Sequence, residues 1–134
     1  MAAELSLDTS FLIDLDRELK AGRTGPAARF LEAHPETRLS VSFVVAGELA
    51  AGYSQTQRSL WEAHLAPLRL LDWTSEVAWA YARSYRYLHG VGQLIGTNDL
   101  WIAATSIAYD LPLVTGNEQH FRRVPGLEVL AYSV

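Results

Sequence analysis

Three acidic residues, far apart in the sequence, stand where a carboxylate could bind a metal ion or act on a phosphate. Asp8 follows the apolar alternation of residues 5–7 (Leu-Ser-Leu), which predicts a short buried strand ending at the acid. Glu48 and Asp99 each lie among apolar residues at helical spacing. Because ligands of an open parallel sheet bind beyond the carboxyl ends of its strands, Asp8 is predicted to lie at such an edge.

Glu48 is predicted to lie on the apolar side of a helix over residues 43–51. Val44 and Val45 come one turn before it, and residues three or four apart share a helix face. An unpaired buried carboxylate costs on the order of several kcal/mol unless something compensates its charge. The alternative is that the apolar stripe is skewed and Glu48 faces water, and the spacing leaves both open.

Asp8 and Asp99 each have a structural explanation as well. Asp8 could act as the N-cap of the helix that follows it. Asp99 falls in the first turn of a predicted helix, where an acid gains roughly 0.3–1 kcal/mol from the helix dipole. It nevertheless shares a face with Ile102 and Ala103, which predicts that it points inward.

The three acids together predict more than each does alone. Clustered carboxylates repel one another, and burial raises the free energy of the cluster further. A divalent cation would resolve both problems, and Mg²⁺ prefers oxygen ligands. A site of this kind, with one or two metal ions, can activate water and stabilise the departing oxygen of a phosphodiester.

The elements that must position these acids alternate between strands and helices along the chain. Short strands are predicted at residues 5–7, 38–41, 68–71, 113–115 and 127–131. Helices are predicted at residues 10–20, 26–33, 43–51, 54–65, 74–88, 98–110 and 118–121, with Ser42, Thr74 and Thr97 as caps and a glycine-containing loop at 89–96. This alternation indicates a single α/β domain over residues 1–134, with helices on both faces of a parallel sheet.

Composition limits the classes of function. The chain has 134 residues, no cysteine and a formal net charge of −4, with Lys20 as its only lysine. The charge argues against a broad electrostatic grip on nucleic acid but allows a small acidic site that meets phosphate through a metal. No apolar run reaches the length of a bilayer span and no leader pattern is recognisable, so we expect no membrane association and a cytoplasmic location.

Four segments together resemble a known family. They are LDTSFLI at residues 7–13, GEL at 47–49, NDLWIAA at 98–104 and LVTGNEQHF at 113–121. In this order and at this chain length they resemble PIN domains, and more narrowly the VapC-type toxins of bacterial toxin–antitoxin pairs. The resemblance implies a PIN-like three-layer α/β/α sandwich with a short, mostly parallel central sheet of four to five strands.

The resemblance also implies a ribonuclease that depends on Mg²⁺ or Mn²⁺. Carried over by position, Asp8, Glu48 and Asp99 would bind the metal. The fourth family position, often Asp, is Asn117 here. An amide can offer a carbonyl oxygen but removes a negative charge, which puts a second tightly bound metal ion in question.

Hydroxyl side chains beside these positions are implied to hold the acids. They are Thr9, Ser10 and Thr115, although turn or cap chemistry would explain Ser10 equally well. His120 follows in the same segment and is expected to pack or cap, not to touch substrate. Asp14 is expected to face solvent.

The implied reaction is in-line attack of a metal-activated water on an RNA phosphodiester, leaving a 5′-phosphate and a 3′-hydroxyl. The implied partners are RNA as substrate, a VapB-like antitoxin whose tail lies in a groove beside the acids, and a second copy of the chain in a homodimer.

Other functions remain as alternatives. The strongest is a PIN-fold binding module with weak or no catalysis, which Asn117 supports because it lowers the charge of the site. A receiver-type phosphoacceptor domain would need paired acids after the first strand and a lysine late in the chain. A haloacid-type phosphatase would need an acid at Ser10, and a dinucleotide enzyme would need a glycine-rich turn after that strand.

Overall fold

A computed structural model describes residues 3–133 of the chain. The described part contains five strands and seven helices, with one or two helices between successive strands. In chain order they are β1 (Glu4–Leu7), α1 (Thr9–Lys20), α2 (Pro26–Glu32), β2 (Arg38–Ser42), α3 (Phe43–Ala50), α4 (Arg58–Leu65), β3 (Arg69–Leu71), α5 (Ser75–Gly90), α6 (Thr97–Ala108), β4 (Leu113–Thr115), α7 (Glu118–Phe121) and β5 (Val129–Ala131).

The strands form one parallel sheet in the order β3-β2-β1-β4-β5. The α/β prediction is therefore confirmed, and all strand pairs are parallel. The chain runs outward from β1 to β3 and then crosses to β4, so the strand order reverses between β1 and β4. A reversal of this kind opens a crevice at the carboxyl ends of the two strands, which is where ligands bind in such sheets.

Strand β1 is buried on both faces, which explains its apolar sequence. Leu5 and Leu7 are almost fully buried, as expected for the central strand of a parallel sheet. Ser6 between them is buried as well, and its Oγ accepts a hydrogen bond from Ser106 Oγ at 3.0 Å. Each fully buried leucine stabilises the fold by roughly 1.5–3 kcal/mol. This packing fixes the point at which β1 ends and Asp8 begins.

Two predicted helix caps are confirmed and one is wrong. Ser42 Oγ accepts from the Val45 N–H and Thr74 Oγ1 from the Val77 N–H, each at 3.1 Å. Thr97 is instead the first residue of α6, and Gly96 precedes it as an N-cap that forms no side-chain hydrogen bond. Helix α6 therefore begins one residue earlier than predicted, so Asn98 is its second residue and Asp99 its third.

Other element boundaries also differ from the prediction, most of them by one or two residues. Helix α5 continues to Gly90, and the first residue after it in a left-handed conformation is Gly92, with φ of 69°. Helix α4 begins only at Arg58, since Ser54 and Gln57 form a hydrogen-bonded turn before it. Strand β5 begins at Val129, two residues later than expected. In residues 3–133 no helix combines the length and apolar character needed to cross a bilayer.

Candidate active site

Asp8 lies at the end of β1, is only 5 % exposed, and uses both carboxylate oxygens. Its Oδ1 accepts from the Thr9 N–H at 2.9 Å and so caps α1. Its Oδ2 accepts from Ser10 Oγ at 3.0 Å and from Thr115 Oγ1 at 2.7 Å. Asp8 is therefore a helix cap and a member of the crevice at the same time.

The loop after β4 is tied to the same carboxylate. Thr115 Oγ1, which donates to Asp8, accepts from the Asn117 N–H at 2.9 Å. Ser10 Oγ accepts from the Gly116 N–H at 3.0 Å. The two hydroxyls thus connect the ends of the neighbouring strands β1 and β4. Asn117 is linked to Asp8 by two successive hydrogen bonds that share Thr115 Oγ1.

Glu48 is half-buried and joins three helices. Its Oε1 accepts from Thr9 Oγ1 at 2.6 Å, and its Oε2 accepts from Asn98 Nδ2 at 3.3 Å. On α3 the residues turned to the core are Val45 and Leu49, so Glu48 lies at the edge of the apolar stripe. Neither sequence-based alternative holds fully, because Glu48 is neither enclosed in the core nor free in solvent.

Asp99 is half-buried in the first turn of α6, and its surroundings disfavour its charged form. Burial raises the pKa of Asp99, and the charges of Asp8 and Glu48 raise it further. Burial likewise raises the pKa of Asp8, with a smaller contribution from Glu48, although its three hydrogen bonds act in the opposite direction. The three carboxylates therefore lie within electrostatic reach of one another.

The donor set suits a divalent cation, although the side chains are not preassembled around one. Within residues 3–133, no group of three His, Cys, Asp or Glu side chains is arranged to hold a metal ion as it stands. The oxygens of Asp8 and Glu48 are shared with hydroxyl and amide donors. Carboxylate oxygen is nevertheless the ligand that Mg²⁺ and Mn²⁺ prefer, and a cation would offset the mutual repulsion. The metal roles of these residues stay predictions.

The roles of two residues beside the acids were not predicted correctly from the sequence. Asn98 donates to Glu48 and belongs to the same segment as Asp99. His120 was expected to pack or cap, but it is exposed, and its Nδ1 lies 2.9 Å from Asn117 Nδ2. Its charge acts to lower the pKa of Asp99, which places it at the rim of the crevice.

Comparison with known proteins identifies the family to which the chain belongs. The family model for the PIN domain matches residues 5–127. Ribonuclease VapC2 of Rickettsia felis is 32 % identical over 94 residues, which cover 66 % of this chain and 70 % of that protein. Ribonuclease VapC1 of Haemophilus influenzae strain R2866 is 30 % identical over 128 residues, covering 91 % of this chain and 92 % of the relative.

A solved structure shows the same fold over nearly the whole chain. The structure of VapBC-1 from nontypeable Haemophilus influenzae superposes with a TM-score of 0.78 at 27 % sequence identity, covering 96 % of this chain and 98 % of that one. The resemblance drawn from the four sequence segments is thereby confirmed. The chain belongs to the PIN-domain family, in which its relatives carry the name ribonuclease VapC.

Proposed function

We propose that this protein is an endoribonuclease that depends on Mg²⁺ or Mn²⁺ and acts as the toxin of a VapBC-like pair. The observation that carries the proposal is the assembly of Asp8, Glu48 and Asp99, from distant parts of the chain, into one group of mutually repelling carboxylates. No Lys or Arg forms an ion pair with these three acids in the described part of the chain. A divalent cation bound at these carboxylates would compensate the excess negative charge.

Each residue of the crevice has a role in this mechanism. Thr115 and Ser10 fix the orientation of Asp8, and Thr9 and Asn98 fix that of Glu48. A bound divalent cation supplies electrophilic stabilisation of the phosphodiester and lowers the pKa of water bound to it.

Without a cation, the acids would repel the phosphates of RNA. Partial burial strengthens that repulsion, because the interaction between charges grows as water is excluded. This chain therefore gives a physical reason why cleavage would require the metal.

The proposed inhibitor is a VapB-like antitoxin. The formal net charge of −4 favours a partner that brings arginine or lysine to the acidic crevice. A homodimer stays a prediction from the resemblance. Exposed Trp79 and Tyr87 on α5 are compatible with it, and sedimentation velocity would measure it directly.

The test is cleavage of a labelled single-stranded RNA by purified protein with Mg²⁺ or Mn²⁺, with and without EDTA. We expect Asp8→Asn to lower kcat/KM more than about 100-fold, because loss of a partner beyond the metal ligands already costs 10–100-fold in many metal sites. An amide at position 8 can still cap α1, so the fold should persist.

Asp16→Asn is the matched control, because it removes a carboxylate from α1 at an exposed ion pair with Lys20. Cleavage that survives EDTA, or that Asp8→Asn leaves unchanged, would refute the metal-dependent mechanism.

The second candidate is a binding module with weak or no catalysis. It is favoured by the amide at position 117 and by the absence of a preassembled metal group in residues 3–133. The same assay separates the two functions. Binding of RNA or antitoxin without any metal-dependent cleavage would favour the binding module.

A further inference from the structure

Asn117 and His120 form a side-chain pair in which the amide nitrogen faces the imidazole ring. Asn117 Nδ2 lies 2.9 Å from His120 Nδ1. With the amide in this orientation its nitrogen donates, which assigns the acceptor role to His120 Nδ1 and the imidazole proton to Nε2. Within residues 3–133 no donor approaches Asn117 Oδ1 to hydrogen-bonding distance, so that oxygen remains available.

At position 117 an amide, unlike a carboxylate, can turn a hydrogen-bond donor toward a metal ion. Its two ends differ, and a group of carboxylates attracts the NH₂ end. If the NH₂ turned toward Asp8 and Asp99, it would offer a donor where a cation needs an oxygen. An aspartate presents oxygen in either orientation and needs no such control.

We propose that His120 is a positioning residue that holds the NH₂ of Asn117 and thereby keeps its carbonyl oxygen available to the metal site. The inference rests on the proposed function, since it assigns the fourth ligand position of that site. It explains how an amide can serve at the fourth position, where the family resemblance implies that an acid is more usual.

The local structure supports a fixed pair. His120 lies on α7, whose Phe121 is fully buried and anchors the short helix to the core. Asn117 immediately precedes α7, and its N–H is bound to Thr115 Oγ1 at 2.9 Å. Both partners are thus held by their backbones at the end of β4. In its protonated form His120 would lower the pKa of Asp99, so the ring lies within electrostatic reach of the acids.

The test is a double-mutant cycle on Mn²⁺ binding, measured by calorimetry on the full chain without RNA. We expect His120→Ala to weaken Mn²⁺ binding by about 10-fold, the lower end of the range for partners of metal ligands. In the Asn117→Asp background the same change should alter the affinity by less than about 2-fold, because a carboxylate needs no orientation.

Two further variants separate positioning from general structural damage. His120→Gln keeps an acceptor for the Asn117 NH₂ and should restore most of the affinity. Gln119→Ala changes an exposed neighbour on α7 and should leave it unchanged. Equal losses for His120→Ala in both backgrounds, or no recovery in His120→Gln, would overturn the proposal.

An arm without metal distinguishes failure of this proposal from failure of the proposed function. Nitrogen-15 NMR of the imidazole at neutral pH should report Nδ1 as unprotonated and Nε2 as protonated. A proton on Nδ1 would mean that the ring donates to Asn117 Oδ1, which would overturn the inference whether or not Mn²⁺ binds. If the tautomer is as expected but neither background binds Mn²⁺, the metal-dependent function fails and the amide orientation stands.

Discussion

Gly116 lies where the loop after β4 crosses the start of α1, and adding one methyl group there tests the packing of the crevice. A Cβ at this position would lie 2.9 Å from the Tyr132 hydroxyl oxygen and 3.5 Å from Ser10 Oγ. Gly116 is not among the glycines with positive φ, so its backbone conformation suits alanine. Any destabilisation by Gly116→Ala must therefore come from the contact with Tyr132.

The tyrosine cannot move away without loss. Tyr132 is 7 % exposed, and its ring packs edge-to-face on Phe11 at 4.8 Å between centroids. Its hydroxyl donates to Asp14 Oδ2 at 2.5 Å. Overpacking a well-filled site costs typically about 1–3 kcal/mol. If the ring moves to relieve the overlap, the hydrogen bond to the Asp14 carboxylate is strained instead, at a cost of similar size. We expect Gly116→Ala to lower the free energy of unfolding by about 2 kcal/mol.

In the Tyr132→Phe background the sign of the effect should change. The obstructing oxygen is absent there, and only ordinary contacts remain, at 3.5 Å from Ser10 Oγ and at 3.5 Å from the ring Cζ of residue 132. Replacing glycine by alanine at a compatible conformation stabilises by roughly 0.4–1 kcal/mol, because the unfolded chain loses freedom. Gly116→Ala should therefore be neutral or stabilising when residue 132 is phenylalanine.

Urea unfolding of the parent, both single variants and the double variant measures the coupling. Gly47→Ala is the matched control, since its Cβ would meet nothing within 4 Å in the helix α3. That change should stabilise by roughly 0.5–1 kcal/mol. If Gly116→Ala destabilised both backgrounds equally, the clash with the Tyr132 hydroxyl would not be the cause, and the packing argument would be refuted.

Two further predictions concern acids with opposite surroundings. Asp99→Asn should abolish RNA cleavage yet raise the melting temperature of the metal-free protein, because burial and neighbouring charges raise the pKa of Asp99. The increase in melting temperature should be present at neutral pH and should shrink as the pH falls through the raised pKa toward 3.8. A lower melting temperature of Asp99→Asn at neutral pH would contradict the electrostatic account. Glu18→Gln should destabilise the fold without affecting cleavage. Burial raises the pKa of Glu18, but hydrogen bonds from three backbone N–H groups outweigh burial and lower the pKa overall. The stabilisation that the Glu18 carboxylate gives the fold should be present above pH 4.5 and should disappear as the pH falls through the lowered pKa. Urea unfolding across pH measures this loss, and Glu36→Gln, at an exposed position, is the control.

Local signals in the sequence predicted the elements that carry the acids. The alternation before Asp8 gave the end of β1, and Ser42 gave the start of α3, because strand period and N-caps act over a few residues. The chain order of these elements then predicted the parallel sheet. Boundaries without a strong local signal, such as the start of α4, were predicted less well.

The contacts that orient the site depend on packing between distant segments, which no local pattern encodes. Asn98 is 50 residues from Glu48, and Tyr132 is 118 residues from Asp14, which the sequence analysis placed in solvent. Leu12, Leu15 and Leu19 stand at helical spacing, which predicts that Leu19 faces the core. Leu19 is nevertheless 68 % exposed, while neighbouring Glu18 is buried. The reason is that the start of α2 presents three backbone N–H groups to Glu18, an arrangement visible only after the two helices pack.

The contrast between Glu18 and the crevice leads to a final prediction about the metal. Donors surround Glu18, so its charge is compensated within the fold, whereas Asp8 and Asp99 keep raised pKa values. Mn²⁺ should therefore stabilise the protein, by about 2.7 kcal/mol at a free concentration 100 times Kd, since it binds the folded state alone.

In Asp8→Asn this stabilisation should largely vanish, whereas in Glu18→Gln it should be retained in full. The reason is that only the first variant changes the charge that the cation compensates. Thermal unfolding with and without Mn²⁺ measures both variants against the parent. An equal Mn²⁺ shift in Asp8→Asn and the parent would mean that the ion binds elsewhere, and the uncompensated charge of the crevice would then need another explanation.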